Sequence, residues 1–196
     1  MTDPFLTFAL HAAHLRQVPR AGWLQRGVPA AHAESVAEHS FGVAFLAMLL
    51  ADRENGIDPA RVLRLAVVHD LAESLMGDLP ASASALLGRA VKHAAEARAM
   101  EAMVEGLPHG EAYRALWAEY SAGESPEARL VKDADTLDML LQALLYEEAG
   151  QRNLGEFWAG RREEDFHSGA ARALFRALRE RRAEMLADEK RHGRDR

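Results

Sequence analysis

The chain of 196 residues is 48% hydrophobic and 28% charged, the balance of a soluble globular protein long enough for one domain with a real core. Its net charge of -6 argues against a nonspecific nucleic-acid binder, whose footprint is basic, but leaves room for a small phosphorylated substrate. With no cysteine it has no disulfide, no thiol nucleophile and no thiolate metal site, so any metal must be held by His, Asp and Glu. No stretch reaches about 18 uninterrupted apolar residues. The N-terminus has no basic region followed by an apolar run, so the expectation is a cytoplasmic protein without a membrane span.

The pattern predicts helices almost throughout, since Ala, Leu, Glu and Arg dominate and alternating β-branched runs are missing. A first helix is expected over 4–16. Residues 18–32 (VPRAGWLQRGVPAAH) then form the longest irregular stretch, and long loops tend to carry function. A second helix opens near Glu34 and stops at the Asn55-Gly56 turn signal. Asp58 and Pro59 supply an N-cap and a first helical residue for a third, over 59–75, ending before Gly77. Further helices are expected over 83–106, 111–120, 126–150 and 154–158, with a terminal amphipathic helix over 168–190 and a frayed tail, RHGRDR. No repeat, linker or break in composition appears. The expectation is one all-α domain, a helical bundle spanning 1–196 with its core at about 34–150.

Within the third helix, the stretch VVHDLAESLMGDLP (67–80) sets His69, Asp70, Glu73 and Asp78 on an otherwise apolar segment. His69 and Glu73 are four apart and Asp70 and Glu73 three apart, so on a continuous helix the three share a sector. The ordinary reading is a solvated helix end. The alternative is a buried end whose carboxylates need a cation, because an uncompensated buried carboxylate is costly.

Two other positions bear on that choice. His39 lies on the stripe of Val36, Val43, Leu46 and Leu50, where a lone histidine reads first as a packed core residue. Asp135 lies beside the stripe of Leu130, Ala134, Leu137, Leu141 and Leu144, and Asp138 follows one turn later. Asp133 is expected to face solvent. Together, two histidines and two aspartates on three separate helices, all on or beside apolar faces, suit a divalent Mn, Fe, Co, Ni or Zn ion. Such an ion can polarise a phosphoryl oxygen and activate water.

The order H…HD…D, here His39, His69–Asp70 and Asp135, resembles the HD-domain metal-dependent phosphohydrolases. More narrowly, LRQVPRAGW (15–23), ESVAEHS (34–40), RLAVVHDLAESLMGD (64–78) and LVKDADTLDMLLQALLYE (130–147) resemble the 5′-deoxynucleotidase (deoxyribonucleoside-5′-monophosphatase) branch. The resemblance implies that His39, His69, Asp70 and Asp135 ligate one divalent metal ion, Mn or Co foremost and Mg as an option. It implies that Glu73 and Asp78 are catalytic, with Glu73 assigned to the attacking water and Asp78 to proton delivery or substrate contact. It implies substrate contacts from Arg20, to phosphate, and from Trp23, to the base. Some bacterial members carry Arg directly before the Trp, where this chain has Gly22, and Arg26 is the alternative to Arg20. A homodimer is also implied.

Lys132 is read as a solvated lysine and the methionines 48, 76, 100, 103 and 139 as core fillers, while His93, His109, His167 and His192 show no partner spacing. The expected activity is metal-dependent hydrolysis of (deoxy)nucleoside 5′-monophosphates, with no nucleic-acid polymer as partner. The competing readings are another HD phosphohydrolase, acting on (deoxy)nucleoside triphosphates or cyclic nucleotides, and a metal-stabilised regulatory module without activity. The small size and the lack of histidines for a second metal speak against the first. Both Glu73 and Asp78 speak against the second, since a structural site has little use for two extra acids.

Overall fold

Capping chemistry sets where the helices begin. In the computed structural model, which describes residues 3–192, α1 (Pro4–His14) opens on Asp3, whose carboxylate accepts from the Phe5 amide at 2.8 Å. A 3₁₀ turn (Leu15–Gln17) and the short α2 (Ala21–Gln25) follow, the latter inside the stretch expected to be irregular. α3 (Val36–Ala51) has a reciprocal cap: the Ser35 hydroxyl accepts from the Glu38 amide at 3.2 Å, and the Glu38 carboxylate accepts from the Ser35 amide at 2.7 Å. The Asp58 carboxylate caps α4 (Pro59–Val68), accepting from Ala60 at 3.0 Å and Arg61 at 3.2 Å, with Pro59 in the first turn. The chain continues through α5 (Glu73–Met76), α6 (Ala81–Leu87), α7 (Arg89–Val104) and α8 (Gly110–Ala122). Ser125 then caps α9 (Pro126–Glu148), and α10 (Gly155–Trp158), a 3₁₀ turn (Glu163–Asp165) and α11 (Gly169–His192) complete the described chain.

The all-α class is as expected. Among the described residues there is no strand, only one isolated bridge between Pro19 and Ser35. That bridge matters: Arg20 donates its amide to Glu34 O at 2.8 Å and Val36 donates to Val18 O at 2.8 Å, which ties the Arg20 loop to the start of α3. No helix is long and apolar enough to cross a membrane among the described residues.

The core forms where α3 lies against α4 and α9, and α9 in turn takes α4, α8 and α11. Val36, Val43 and Ala47 of α3, Val62, Leu65 and Ala66 of α4, and Val131, Ala134, Leu137 and Leu140 of α9 are fully buried there. Each such valine or leucine contributes about 1.5–3 kcal/mol over an exposed one. His39 and Asp135 lie on α3 and α9, and His69–Asp70 follow directly on the end of α4, so the best-buried part of the molecule borders the residues singled out by their chemistry.

Three expectations are corrected. The helix expected over 59–75 ends at Val68, and the chain tightens through three-residue turns, Leu71 N to Val68 O at 3.2 Å and Glu73 N to Asp70 O at 3.0 Å, before α5 begins. The helix expected over 83–106 is broken at Gly88, whose φ of 83° is left-handed and ends α6. Asp133 does not face solvent: it is 2% exposed and accepts from the amides of His167 and Ser168 at 3.0 and 2.9 Å and from His167 Nδ1 at 2.8 Å. It thereby fixes the entry to α11 against α9 and gives His167 the partner that spacing did not reveal. Of the expected tail, Arg191 and His192 belong to α11, and 193–196 lie outside the described residues.

Removing Asp133 strands the backbone donors of His167 and Ser168, the latter buried. Asp133→Ala is therefore expected to cost about 1–3 kcal/mol of stability, read as a lower urea midpoint with unchanged slope.

Candidate metal centre and active site

The site starts from two imidazoles buried for different local reasons. His39 projects from the apolar face of α3 and is 0% exposed; His69 caps the end of α4 and is 2% exposed. Their rings meet edge to face with centroids 5.4 Å apart. Each Nδ1 is engaged: that of His69 donates to the Ala66 carbonyl at 2.7 Å, and that of His39 lies 2.8 Å from Asp138 Oδ2. With Nδ1 as the donor, a neutral ring presents a bare lone pair at Nε2.

Both Nε2 atoms are buried and neither has a hydrogen-bond partner. They face carboxylates instead. His39 Nε2 is 3.2 Å from Asp135 Oδ1 and 3.7 Å from Asp70 Oδ2, and His69 Nε2 is 3.0 Å from Asp70 Oδ2. These are short approaches whose directions form no hydrogen bond. Ligand atoms of His39, His69 and Asp70 all lie within 4.8 Å of one another. Lone pairs and carboxylate oxygens turned on one point repel unless a positive charge sits among them. The donor set, imidazole and carboxylate without thiolate, fits a divalent transition metal.

The electrostatics point the same way. Burial and the Arg20 charge pull the His39 imidazolium down, but Asp135 and Asp138 outweigh them and push it up to about 10. Burial would raise Asp70, yet His69, His39 and Arg20 hold it down at about 2. Asp135 is lowered against its burial by His39, His69 and Arg20, and it accepts from the Tyr120 hydroxyl at 2.8 Å.

Above this floor opens a cavity of about 660 Å³, within the ~300–1,000 Å³ of small-molecule sites. Asp70, Glu73, Asp78, Arg20 and Asp135 all line it. The tight turn after Val68 curls His69, Asp70 and Glu73 around the floor, so they converge without the shared helix face expected from their spacing. Glu73 is 5% exposed and its Oε2 has no partner. Burial, then the charges of Asp70 and Asp78, push its carboxyl up to about 10. Asp78 is committed on one side: its Oδ2 accepts from the Ala21 amide at 2.6 Å, which pins the loop carrying Arg20. Arg20 Nη1 reaches Asp70 Oδ2 at 3.3 Å. Burial lowers its proton affinity, but the surrounding carboxylates more than restore it.

Two expected contacts change. Trp23 borders the cavity but is 1% exposed, wedged against Phe157 and Tyr146 at centroid distances of 4.4 and 5.3 Å, with Nε1 donating to Glu34 Oε2 at 2.8 Å. A ring so enclosed has no free face, so the expected base-stacking platform is a wall support. Arg26 is paired with Glu156 and does not line the cavity. Lys132, expected to be solvated, lines it instead, half-buried with Nζ 4.3 Å over the Tyr120 ring. Burial lowers its proton affinity. Sequence reasoning also missed Tyr120, Arg89, Lys92 and His93, which complete the walls from α8 and α7. No local pattern marks them, because only the packing of α7 and α8 beside α4 and α9 brings them there. Of the methionines, Met100 and Met103 are core, whereas Met139 lines the cavity.

Residues 12–174 match the model of the HD domain. The chain is 36% identical over 190 residues to a zebrafish (Danio rerio) protein named 5′-deoxynucleotidase HDDC2, covering 94% of this chain and 91% of that one. It is similar to a solved structure from Pyrococcus horikoshii, with 38% identity, a TM-score of 0.73 and coverage of 89% and 96%. It is also similar to one from Magnetospirillum magnetotacticum described as a predicted metal-dependent phosphohydrolase, with 25% identity, a TM-score of 0.70 and coverage of 92% of each chain. The likeness thus runs along most of the chain, and the chain belongs to the HD-domain family.

Proposed function

We propose that the protein is a metal-dependent phosphomonoester hydrolase that converts nucleoside 5′-monophosphates, deoxyribonucleotides foremost, to nucleoside and phosphate. The observation that carries this reading is the pair of buried, unpartnered Nε2 atoms facing Asp70 and Asp135 at the floor of a cavity that also holds an unpartnered acid, Glu73. The names of the relatives supply the nucleotide class.

In this reading His39, His69, Asp70 and Asp135 hold one divalent ion, Mn or Co foremost. When bound, such an ion supplies Lewis acidity toward the phosphoryl group and toward water. Arg20, held in place by the Asp78–Ala21 contact, receives the phosphate as a charged donor. Glu73 takes the proton from the attacking water as its oxygen bonds to phosphorus and the bond to the 5′-oxygen breaks. Its Oε2 stands at the cavity floor without a partner, and a bound cation would offset the charges of Asp70 and Asp78 that otherwise keep the carboxyl protonated. Asp78 borders the cavity on the Arg20 side, where it can hand a proton to the leaving 5′-oxygen to give the nucleoside hydroxyl, or meet the sugar. Lys132 and Tyr120 give a charged and an aromatic wall for the rest of the nucleotide. A purely structural ion site has no need of Glu73, which disfavours the regulatory-module reading. Cytoplasmic residence and a homodimer belong to the same proposal; Phe41, Phe45 and Leu49, four residues apart on α3 and largely exposed, offer an apolar face for a second copy.

The direct test is phosphate release from ribo- and deoxyribonucleoside 5′-monophosphates, triphosphates and cyclic nucleotides. Chelator-stripped protein is expected to be inactive and to regain turnover with Mn or Co, on monophosphates only. Tripolyphosphate from triphosphates would move the substrate class while keeping the metal. Glu73→Gln is expected to lower kcat by about 10²–10⁴ with bound metal unchanged, since it removes the base and leaves the ligands. Intact turnover in that variant would remove Glu73 from the chemistry.

A further inference from the structure

The two histidines at the floor are oriented by different devices. His69 needs only its own helix, because its Nδ1 donates to the Ala66 carbonyl three residues back. His39 has no such help. Its Nδ1 turns toward α9 and meets the Asp138 carboxylate at 2.8 Å, with His39 fully buried and Asp138 9% exposed. Asp138 follows Asp135 by three residues, so α9 presents one carboxylate to each side of the same ring: Asp135 Oδ1 is 3.2 Å from Nε2 and Asp138 Oδ2 is 2.8 Å from Nδ1.

Space for that second carboxylate comes from α3 itself. Gly42 lies one turn after His39. A Cβ there would sit 2.0 Å from Asp138 Oδ1 and 2.7 Å from its Cγ. Its φ is not left-handed, so the backbone does not require glycine at this position. A glycine inside a helix costs roughly 0.5–1 kcal/mol relative to alanine. The helix thus carries a weakening residue at the point where any side chain would strike the Asp138 carboxylate.

We propose that Asp138 is a positioning residue for the cation site. It fixes the Nδ1–H tautomer of His39, aims Nε2 at the ion and raises its basicity, and Gly42 is the gap that admits it. A carboxylate behind a metal-bound imidazole acts in this way by general coordination chemistry, and its loss typically weakens metal binding about 10- to 100-fold.

The inference rests on the cation reading above, and one titration separates the two. Chelator-stripped wild type, Asp138→Ala, Asp138→Asn, Gly42→Ala and the Gly42→Ala/Asp138→Ala double variant are titrated with Mn²⁺. Free Mn²⁺ is read by electron paramagnetic resonance, and retained helicity by far-UV circular dichroism. Asp138→Ala is expected to bind about 10- to 100-fold more weakly. Asp138→Asn should lose less, because its amide oxygen still accepts from Nδ1. Gly42→Ala should show a loss like that of Asp138→Ala, and the double variant no further loss, since the clash and its target are then both gone. Wild type that binds no Mn²⁺ overturns the cation reading and this assignment with it. Wild type that binds, beside a folded Asp138→Ala of equal affinity, overturns this assignment alone. Should Asp138→Ala fail to fold, a folded Gly42→Ala with wild-type affinity overturns it equally.

Discussion

Two imidazole nitrogens, fully removed from water and facing carboxylates without a hydrogen bond to either, are the constraint around which the rest of this molecule is arranged. Such a cluster opposes folding unless it is charged or filled, because buried polar atoms left unmatched cost about 1–3 kcal/mol each. The protein meets that cost with its strongest packing. The helices that carry these residues, or end beside them, are also those whose apolar faces vanish most completely from solvent. The core supplies rigidity, and the rigidity keeps atoms together that would otherwise move apart.

The same logic runs outward from the floor. Asp78 accepts from the Ala21 amide, the Arg20 and Val36 amides stitch the loop to α3, and Trp23 is wedged behind it with its indole nitrogen satisfied by Glu34. Arg20 thereby stands over Asp70 as a held charge. On the other side Tyr120 donates to Asp135 and lies under the Lys132 ammonium. The cavity is thus floored by acids and imidazoles and walled by cations. This is the arrangement expected for an anion bound across a metal. Glu73 adds an acid whose buried Oε2 has no partner and whose proton affinity is raised.

Much of this was legible in the sequence. Asp58-Pro59 and Ser125-Pro126 announce helix starts because their chemistry is local, and both begin helices as expected. His39, His69, Asp70 and Asp135 stood out because ionisable groups on apolar stripes demand an explanation. What failed had tertiary causes. The apolar run continues through Leu71 and Ala72, so periodicity could not reveal that the helix breaks after Val68. Asp133 and Asp135 point about 200° apart on the wheel, and the choice of a solvent side assumed that α9 has one. Packed by α3, α4, α8 and α11, it buries both flanks, and Asp133 finds its donors at His167 and Ser168, 34 and 35 residues on. Trp23 looked available for stacking because its neighbours Tyr146 and Phe157 lie far away in the chain.

The most direct measurement of the central claim is anomalous diffraction from crystals of the protein loaded with Mn²⁺. The account predicts one strong peak among His39 Nε2, His69 Nε2, Asp70 and Asp135, at the floor of the cavity. A peak at any other position, or an active, Mn-loaded protein in which both Nε2 atoms are instead satisfied by hydrogen bonds, would contradict it.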